Sequence, residues 1–509
     1  MNKKPNLLVV TTDQQRADLL GCAERVPVRT PRLDQFREEG LFFHRAYAAC
    51  PLCTPARATL VTGQYPSRHG AWSIGTALDE GCISLPGLLA EQGGYRTAII
   101  GKSHLQPGST PGSFEAPPRS RDWDFFRNWR GPWYGFDEAN ISIGHTHEPH
   151  AYAMHYGLWL RERGIPEREP YFYANPDGRQ SVGEWALPEA FHPTKWVEEE
   201  TLAYLDRHQG EYKDRPFFLS VNFPDPHRPF VVPEPWCSLH DDVEPPEPIR
   251  TLDEDNGTTL YRAIREGRLK DLGWHDHAGP PCQHLEPSAT GLDRSEEELR
   301  MWRVYMGMQS MVDHSFGRIL DRLAELELDE NTLVVFLSDH GDLMGDHWMW
   351  SKGGSHYDAA VRIPLIMRWP GRIPEGSTST SLISQVDLPT TLLRAAGLEP
   401  HPRMQGVDQY QELLEPNRHL RDGVLIDHRV ERGLYVNSWI TRTHRLSVHS
   451  ILAEERDEFE LYDLERDPSE LRNRAMDNEQ LTVLRDLMAR MLRYRMAVSG
   501  PWQERLSFG

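Results

Sequence analysis

Four short apolar runs in this chain each lead straight into residues able to hold a cation or an anion. Asp13-Gln14 follows the first, Lys102 and His104 the second, Asp225 and His227 the third, and Asp339-His340 the fourth. Asp13, Gln14, Asp339 and His340 offer oxygen ligands plus one imidazole, a set suited to a hard or borderline divalent cation. Arg57, Lys102, His104, His227 and Lys352 are cationic or can become so. One cation ringed by that many positive groups is a trap for a tetrahedral dianion. A further nucleophile candidate lies in "CTPAR", residues 53–57. Pro55 suits the first turn of a helix, because its missing N–H costs nothing there, so a helix is expected from Pro55 to Gly63. Cys53 would then lie at the positive end of a helix dipole, as an activated thiolate or as a buried structural thiol.

The elements that must bring these residues together are legible. "NLLVVTT" (6–12), "RTAIIG" (96–101), "PFFLSVNF" (216–223) and "TLVVFLS" (332–338) are apolar on both faces, as strands of a covered sheet must be. Helical segments separate them. Residues 30–40 and 84–94 are short, amphipathic and stopped by glycine, and 295–326 is long and opens with Ser295 and Glu298 in capping-box spacing. The alternation predicts an α/β domain with a large, mostly parallel sheet sandwiched by helices. Ligands of such sheets bind beyond the carboxyl ends of the strands, so the four polar clusters should share one edge. A helix is expected over 383–398. Beyond it the runs at 423–428, 433–450 and 458–464, with a final helix over 478–498, predict a small antiparallel sheet plus helix. The expected division is a catalytic domain over residues 1–400 and a C-terminal subdomain over 401–509.

A chain of 509 residues is long enough for such a division, and its 76 acidic against 56 basic residues give a net charge of −20. That balance argues against nucleic acid or an anionic membrane as partner. The apolar run after "MNKKP" is too short for a signal sequence, and no stretch is long enough to span a bilayer, so a cytoplasmic location is expected. The six cysteines are scattered and do not form a disulfide framework.

With these residues assembled, the chain resembles the type I, formylglycine-dependent sulfatases of the alkaline phosphatase superfamily. "CTPAR" reads as their C-x-P-x-R signature, followed by "TGQYPSRHG"; "GKSHL" (101–105), "PDPHRPF" (224–230), "SDHGDLMGDHWMWSKG" (338–353) and "FELYDLERDPSELRN" (459–473) resemble further elements of the family. The resemblance implies that a formylglycine-generating enzyme oxidises Cys53 to an aldehyde. One hydroxyl of the aldehyde hydrate attacks sulfur, and the second lets the bound sulfate leave by C–O elimination. It implies that Asp13, Gln14, Asp339 and His340 hold one divalent metal together with residue 53, calcium first and manganese second. Arg57 and Lys102 would orient the diol, and His104 would be the base that releases sulfate. His227 and Lys352 would bind sulfate oxygens and serve the leaving alkoxide, with His69 as a supporting group. Asp-Gln and Asp-His in place of the commoner Asp-Asp and Asp-Asn look more like the branch with choline sulfatases and phosphonate monoester hydrolases. The latter typically replace the Lys102/His104 pair with uncharged polar residues, so its retention favours sulfate monoesters.

The expected substrate is a small-molecule or saccharide sulfate ester, a carbohydrate sulfate first. Aryl or choline sulfate, and phosphonate or phosphate esters on the same scaffold, are the alternatives, and a binding protein whose Cys53 stays a thiol is a third. Trp123, Trp129, Trp133, Tyr134, Tyr152, Tyr156 and Trp159 could wall a substrate pocket or simply pack loops. His145, His147, His150 and His155 read as loop residues able to touch substrate, and the Pro- and acid-rich stretch 240–294 as a surface excursion.

Overall fold

The structure is a computed structural model that describes residues 4–23, 25–144, 152–165, 182–268, 282–284, 294–431 and 433–499. The first apolar run forms β1 (Asn6–Thr12), buried along its whole length. After it come α1 (Pro31–Glu38), β2 (Leu41–Tyr47), α2 (Cys53–Thr62), α3 (Leu85–Gly93), β3 (Arg96–Lys102) and β4 (Glu138–Ser142). Then follow α4 (Pro193–Glu211), β5 (Phe217–Asn222), α5 (Glu296–Glu325), β6 (Thr332–Ser338), β7 (Leu365–Arg368), β8 (Ser377–Ser384) and α6 (Asp387–Ala395). The eight strands make one sheet in the order β8-β2-β7-β6-β1-β5-β3-β4. Every pairing is parallel except those of β7, which runs against both of its neighbours.

The strand period of two decides which helix each residue meets. Leu7 and Val9 of β1 face the core made with Ala58 and Val61 of α2, Leu88 of α3 and Leu392 of α6. Leu8 and Val10 face the opposite core, with Phe36 of α1, Trp196 of α4 and Phe316 of α5. Both faces are thus covered, which is why residues 7–10 of the run are all apolar.

Register then aligns the carboxyl ends. Thr12 of β1 lies opposite Ser338 of β6, Thr11 opposite Asn222 of β5, and Asn222 opposite Gly101 of β3. Residues 13, 102, 223–227 and 339 therefore leave four adjacent strands at one edge. Gly101 is needed there: its φ is +100°, and a Cβ would sit 2.1 Å from the Asn222 carbonyl oxygen.

A second sheet follows, β9 (Val424–Glu431), β10 (Leu434–Ile440), β11 (His444–Ile451) and β12 (Arg456–Asp463), antiparallel throughout in chain order. One face takes α7 (Leu481–Val498) through Leu425, Trp439, Leu484 and Leu487. Val424 and Ile426 pack against Tyr47 of β2 and Leu382 of β8. No helix among the described residues is long and apolar enough to cross a membrane.

The capping box at Ser295 and Glu298 opens α5 as the spacing predicts. Two expectations need correction. Helix α2 starts at Cys53 rather than Pro55, so Cys53 is its first residue, and it ends on Gly63 at φ +66°. The expected helix over 383–398 begins only at Asp387, because Ile383 and Ser384 complete β8.

Candidate active site

Asp13, Cys53, Asp339 and His340 meet at the sheet edge, each buried, with ligand atoms all within 4.8 Å of one another. The Cys53 thiol lies 3.1 Å from His340 Nε2 and 3.6 Å from Asp13 Oδ1. The loop that leads into α2 is tied to the second sheet, where the Asp427 N–H of β9 donates to the Ala49 carbonyl at 2.9 Å. Asp339 Oδ1 accepts the backbone N–H groups of Gln14 (3.0 Å) and His340 (2.9 Å), which ties the ends of β1 and β6 together.

Arg57 is one turn along α2 from Cys53 and bridges both carboxylates. Its Nε donates to Asp339 Oδ2 at 3.0 Å, its Nη2 to Asp13 Oδ2 at 3.3 Å, and its Nη1 to the Lys102 carbonyl at 3.0 Å. Lys102 Nζ lies 2.5 Å from Asp13 Oδ2. Burial alone would raise the Asp13 carboxyl, but Lys102, His227, Arg57 and His340 outweigh it and hold it well below the usual carboxylate range. On the opposite side Lys352 Nζ donates to Gln14 Oε1 and to the His227 ring. Burial pushes the Lys352 ammonium below its ordinary value. Burial, then Lys102, also pushes His104 well down, so its imidazole is neutral near neutral pH.

A divalent cation fits this donor set. Two carboxylates, an imidazole and the atom at position 53 converge, and His340 Nδ1 donates to the Gly341 carbonyl at 2.9 Å, which leaves Nε2 as the ligand atom. Burial lowers the His340 imidazole, yet Asp339 and Cys53 hold it above its ordinary value, so a cation would displace a proton there. Gln14 stands beside these four donors, with its Oε1 turned to Lys352 and its Nε2 to Asp342. Removing divalent ions with a chelator is expected to lower thermal stability, by about 4 kcal/mol relative to metal at a thousandfold excess over Kd. Differential scanning calorimetry with calcium or manganese restored singly would rank the two ions, and an unchanged midpoint would remove the metal site.

Several supports were not singled out in the sequence. Asp342 Oδ1 accepts from Met344 and Ser351 N–H groups while its Oδ2 takes the Gln14 amide, so it links the Lys352 loop to residue 14. Tyr305 of α5 donates to the Gln14 carbonyl at 2.7 Å and holds that residue at φ +67°. Arg16 pairs with Asp18 and Asp346 and donates to the Asp342 and Leu343 carbonyls. The acidic character of "DHGD" hinted at Asp342; nothing local marked Tyr305, which lies far along the chain.

Other expected contacts lie elsewhere. His69 is buried behind α2, where its Nε2 meets Thr59 Oγ1 at 3.2 Å and its Nδ1 accepts the Ala71 N–H, and burial pushes it down to about 3. Most of the aromatic residues pack on one another: Trp133 on Phe114, Trp129 on Phe125, and Tyr156 on Trp196. Trp133, Tyr134, Tyr152, Tyr156 and Trp159 are buried, while Trp123 and Trp129 are half-buried. His155 is also buried, with its ring between the Ile141 N–H and the Trp129 carbonyl. His145, His147 and His150 lie outside the described residues. The stretch from 240 is more than a surface excursion: Glu254 bonds His347 at 2.6 Å, and Asn256 reaches Tyr357 and Glu460 at 3.1 Å each. It clamps the loop that carries Lys352 to the C-terminal sheet.

Comparison with known proteins agrees with this geometry. The family model described as Sulfatase matches residues 5–398, and one described as N-sulphoglucosamine sulphohydrolase, C-terminal, matches residues 345–497. The chain is 28% identical over 513 residues to the uncharacterized sulfatase YidJ of Escherichia coli (strain K12), covering 98% of this chain and 89% of that one. It is 27% identical over 500 residues to an arylsulfatase of Clostridium perfringens (strain 13 / Type A), covering 97% and 95%. Among solved structures, the phosphonate monoester hydrolase of Agrobacterium radiobacter superposes with a TM-score of 0.75 at 27% identity, covering 97% of this chain and 96% of that one. The match of the Sulfatase model across most of the chain, on an alkaline-phosphatase-like sheet whose edge gathers Asp13, Cys53, Arg57, Lys102, Asp339 and His340, makes this protein a member of the sulfatase family, a sulfuric ester hydrolase.

Proposed function

We propose that this enzyme hydrolyses sulfate monoesters, a carbohydrate sulfate before others, with residue 53 acting as formylglycine. The observation that carries the reading is the position of Cys53: first residue of α2, 3.1 Å from His340 Nε2, inside a ring of cations. A side-chain oxygen replacing Sγ there would lie among the metal-binding groups and beside Arg57. Asp13, Asp339 and His340, with Gln14 beside them, would hold a divalent cation that acidifies a hydroxyl and withdraws charge from a sulfate oxygen.

The chain's own groups do the rest. Arg57 and Lys102 are pinned by Asp13 and Asp339, so they orient a charged group at residue 53 without moving. His104 is neutral near neutral pH, the form a base needs to take the proton whose loss frees sulfate. Lys352 and His227 touch each other across the cradle, at the side where a leaving alkoxide would need a proton or a positive charge. The retained Lys102 and His104 favour a sulfate monoester, and the C-terminal match to an amino-sugar sulfohydrolase model supports a saccharide leaving group.

The phosphonate monoester reading is supported by the likeness to the Agrobacterium enzyme and by the Asp-Gln and Asp-His pairs at residues 13–14 and 339–340. Sulfate and phosphonate monoesters of one leaving group separate the two: kcat/KM is expected to favour the sulfate, and the reverse order would transfer the reading to phosphonates. His104→Ala is expected to slow turnover by about 10²–10⁴-fold and to accumulate sulfated protein, detected as an intact-mass increase. A variant that slows without accumulating it would reassign the base.

A further inference from the structure

We propose that Glu115 is a positioning residue that holds His104 in its working orientation through the backbone of residues 103–106. The proposal rests on the reading of His104 as the base that releases sulfate.

His104 occupies the left-handed region at φ +55°, a conformation that a residue with a Cβ adopts only when its surroundings enforce it. Its ring gives no help: Nδ1 is buried and has no hydrogen-bond partner among the described residues. Among the described residues no carbonyl holds its Nδ1 as the Gly341 carbonyl holds that of His340, so the direction of the His104 imidazole depends on the backbone beneath it. That backbone wraps a single carboxyl group. Glu115 Oε1 accepts the Leu105 N–H at 3.2 Å, and the Gln106 backbone and the Ser103 side chain lie close enough to favour its ionised form. Successive N–H groups around a left-handed residue make a small anion-binding concavity, which the carboxylate fills from within the chain.

The surroundings fix Glu115 in turn. Ser103 Oγ accepts the Trp133 indole N–H at 2.8 Å, and the Ser103 N–H donates to the Ser142 carbonyl of β4 at 2.9 Å. Leu105 closes the turn on the other side, its carbonyl accepting the Leu78 N–H at 2.9 Å. Glu115 is 1% exposed, and its Oε2 has no hydrogen-bond partner among the described residues. Burial pushes its carboxyl up to about 7, the cost of keeping an acid in this place. An apolar residue would fill the same volume without that cost, but would leave the Leu105 N–H unpaired and the turn unheld.

The test compares Glu115→Ala with Glu115→Gln in the matured, metal-loaded protein, with His104→Ala as control. Glu115→Ala is expected to slow sulfate release on the order of ten- to a hundredfold and to raise the fraction of covalently sulfated protein, read by intact mass. KM is expected to change little. Glu115→Gln keeps an acceptor for the Leu105 N–H and should stay within about threefold of wild type. Should Glu115→Ala fail to fold, Ser103→Ala carries the test, with an expected smaller rise in the sulfated fraction. A folded Glu115→Ala with a wild-type sulfated fraction would overturn the proposal, whatever its thermal midpoint. So would a Glu115→Gln variant as slow as Glu115→Ala. A His104→Ala control without sulfated protein is a separate result: it overturns the base assignment itself.

Discussion

Cys53→Ala lowers sulfate monoester turnover by about 10⁵-fold or more while the protein stays folded. The two halves of this expectation come from different parts of the structure. Turnover depends on residue 53 because, among the described residues, no other thiol or hydroxyl joins Asp13, Asp339 and His340, so its removal leaves the electrostatic cradle alone. Stability depends on it little. Cys53 has no ion pair, and the loss of one buried sulfur atom at the start of α2 costs about 1–2 kcal/mol, since alanine is a good helix residue. The measurements are kcat with a sulfate ester and the thermal midpoint of the same preparation. A companion measurement is the mass of the tryptic peptide carrying residue 53. The matured enzyme should show aldehyde in place of thiol there, and full activity with an unmodified cysteine would end the formylglycine reading.

Arg57→Met is the second large effect, and it appears in stability as well as activity. Arg57 is 4% exposed and its guanidinium donates hydrogen bonds to both Asp13 and Asp339. Lys102 can still neutralise Asp13 when Arg57 is gone, whereas Asp339 keeps backbone donors and the His340 ring, at 3.6 Å, on Oδ1 and loses its hydrogen-bond partner on Oδ2. Breaking a buried pair in this one-sided way costs about 3–5 kcal/mol. Urea unfolding of the metal-free protein should show it as a lower midpoint at an unchanged slope. Added metal should return part of the loss, because a cation restores positive charge next to Asp339. A loss below about 1 kcal/mol would mean that the carboxylates are neutralised by another route.

Much of this site was legible because the chemistry lies at strand ends. A run such as residues 6–12 must be apolar on both faces to sit inside a covered sheet, so the first polar residues after it stand out at once. The same holds after residues 96–102, 217–222 and 332–338. Strands of weaker pattern escaped notice. In β2 the run is broken by His44 and Arg45, and β8 carries serine and threonine along most of its length at the sheet's edge, where polar residues are tolerated. The aromatic stretch after residue 120 could equally have lined a pocket or packed on itself. The contacts of Trp133, Tyr156 and Trp159 decide for packing, because burying large rings against one another removes more apolar area from water than leaving them at a rim.

The amino-acid sequence on its own determined the α/β architecture, the strand ends that carry function and the family signature at Cys53, since local periodicity and short spacings encode all three. Tertiary structure decided the groups that hold these residues in place: Tyr305 under Gln14, Asp342 between Gln14 and the Lys352 loop, Asn256 between that loop and the C-terminal sheet, and Glu115 under His104. A hydrogen bond acts across space and leaves no periodic trace along the chain, so partners separated by up to hundreds of residues become visible only when the strands are placed side by side.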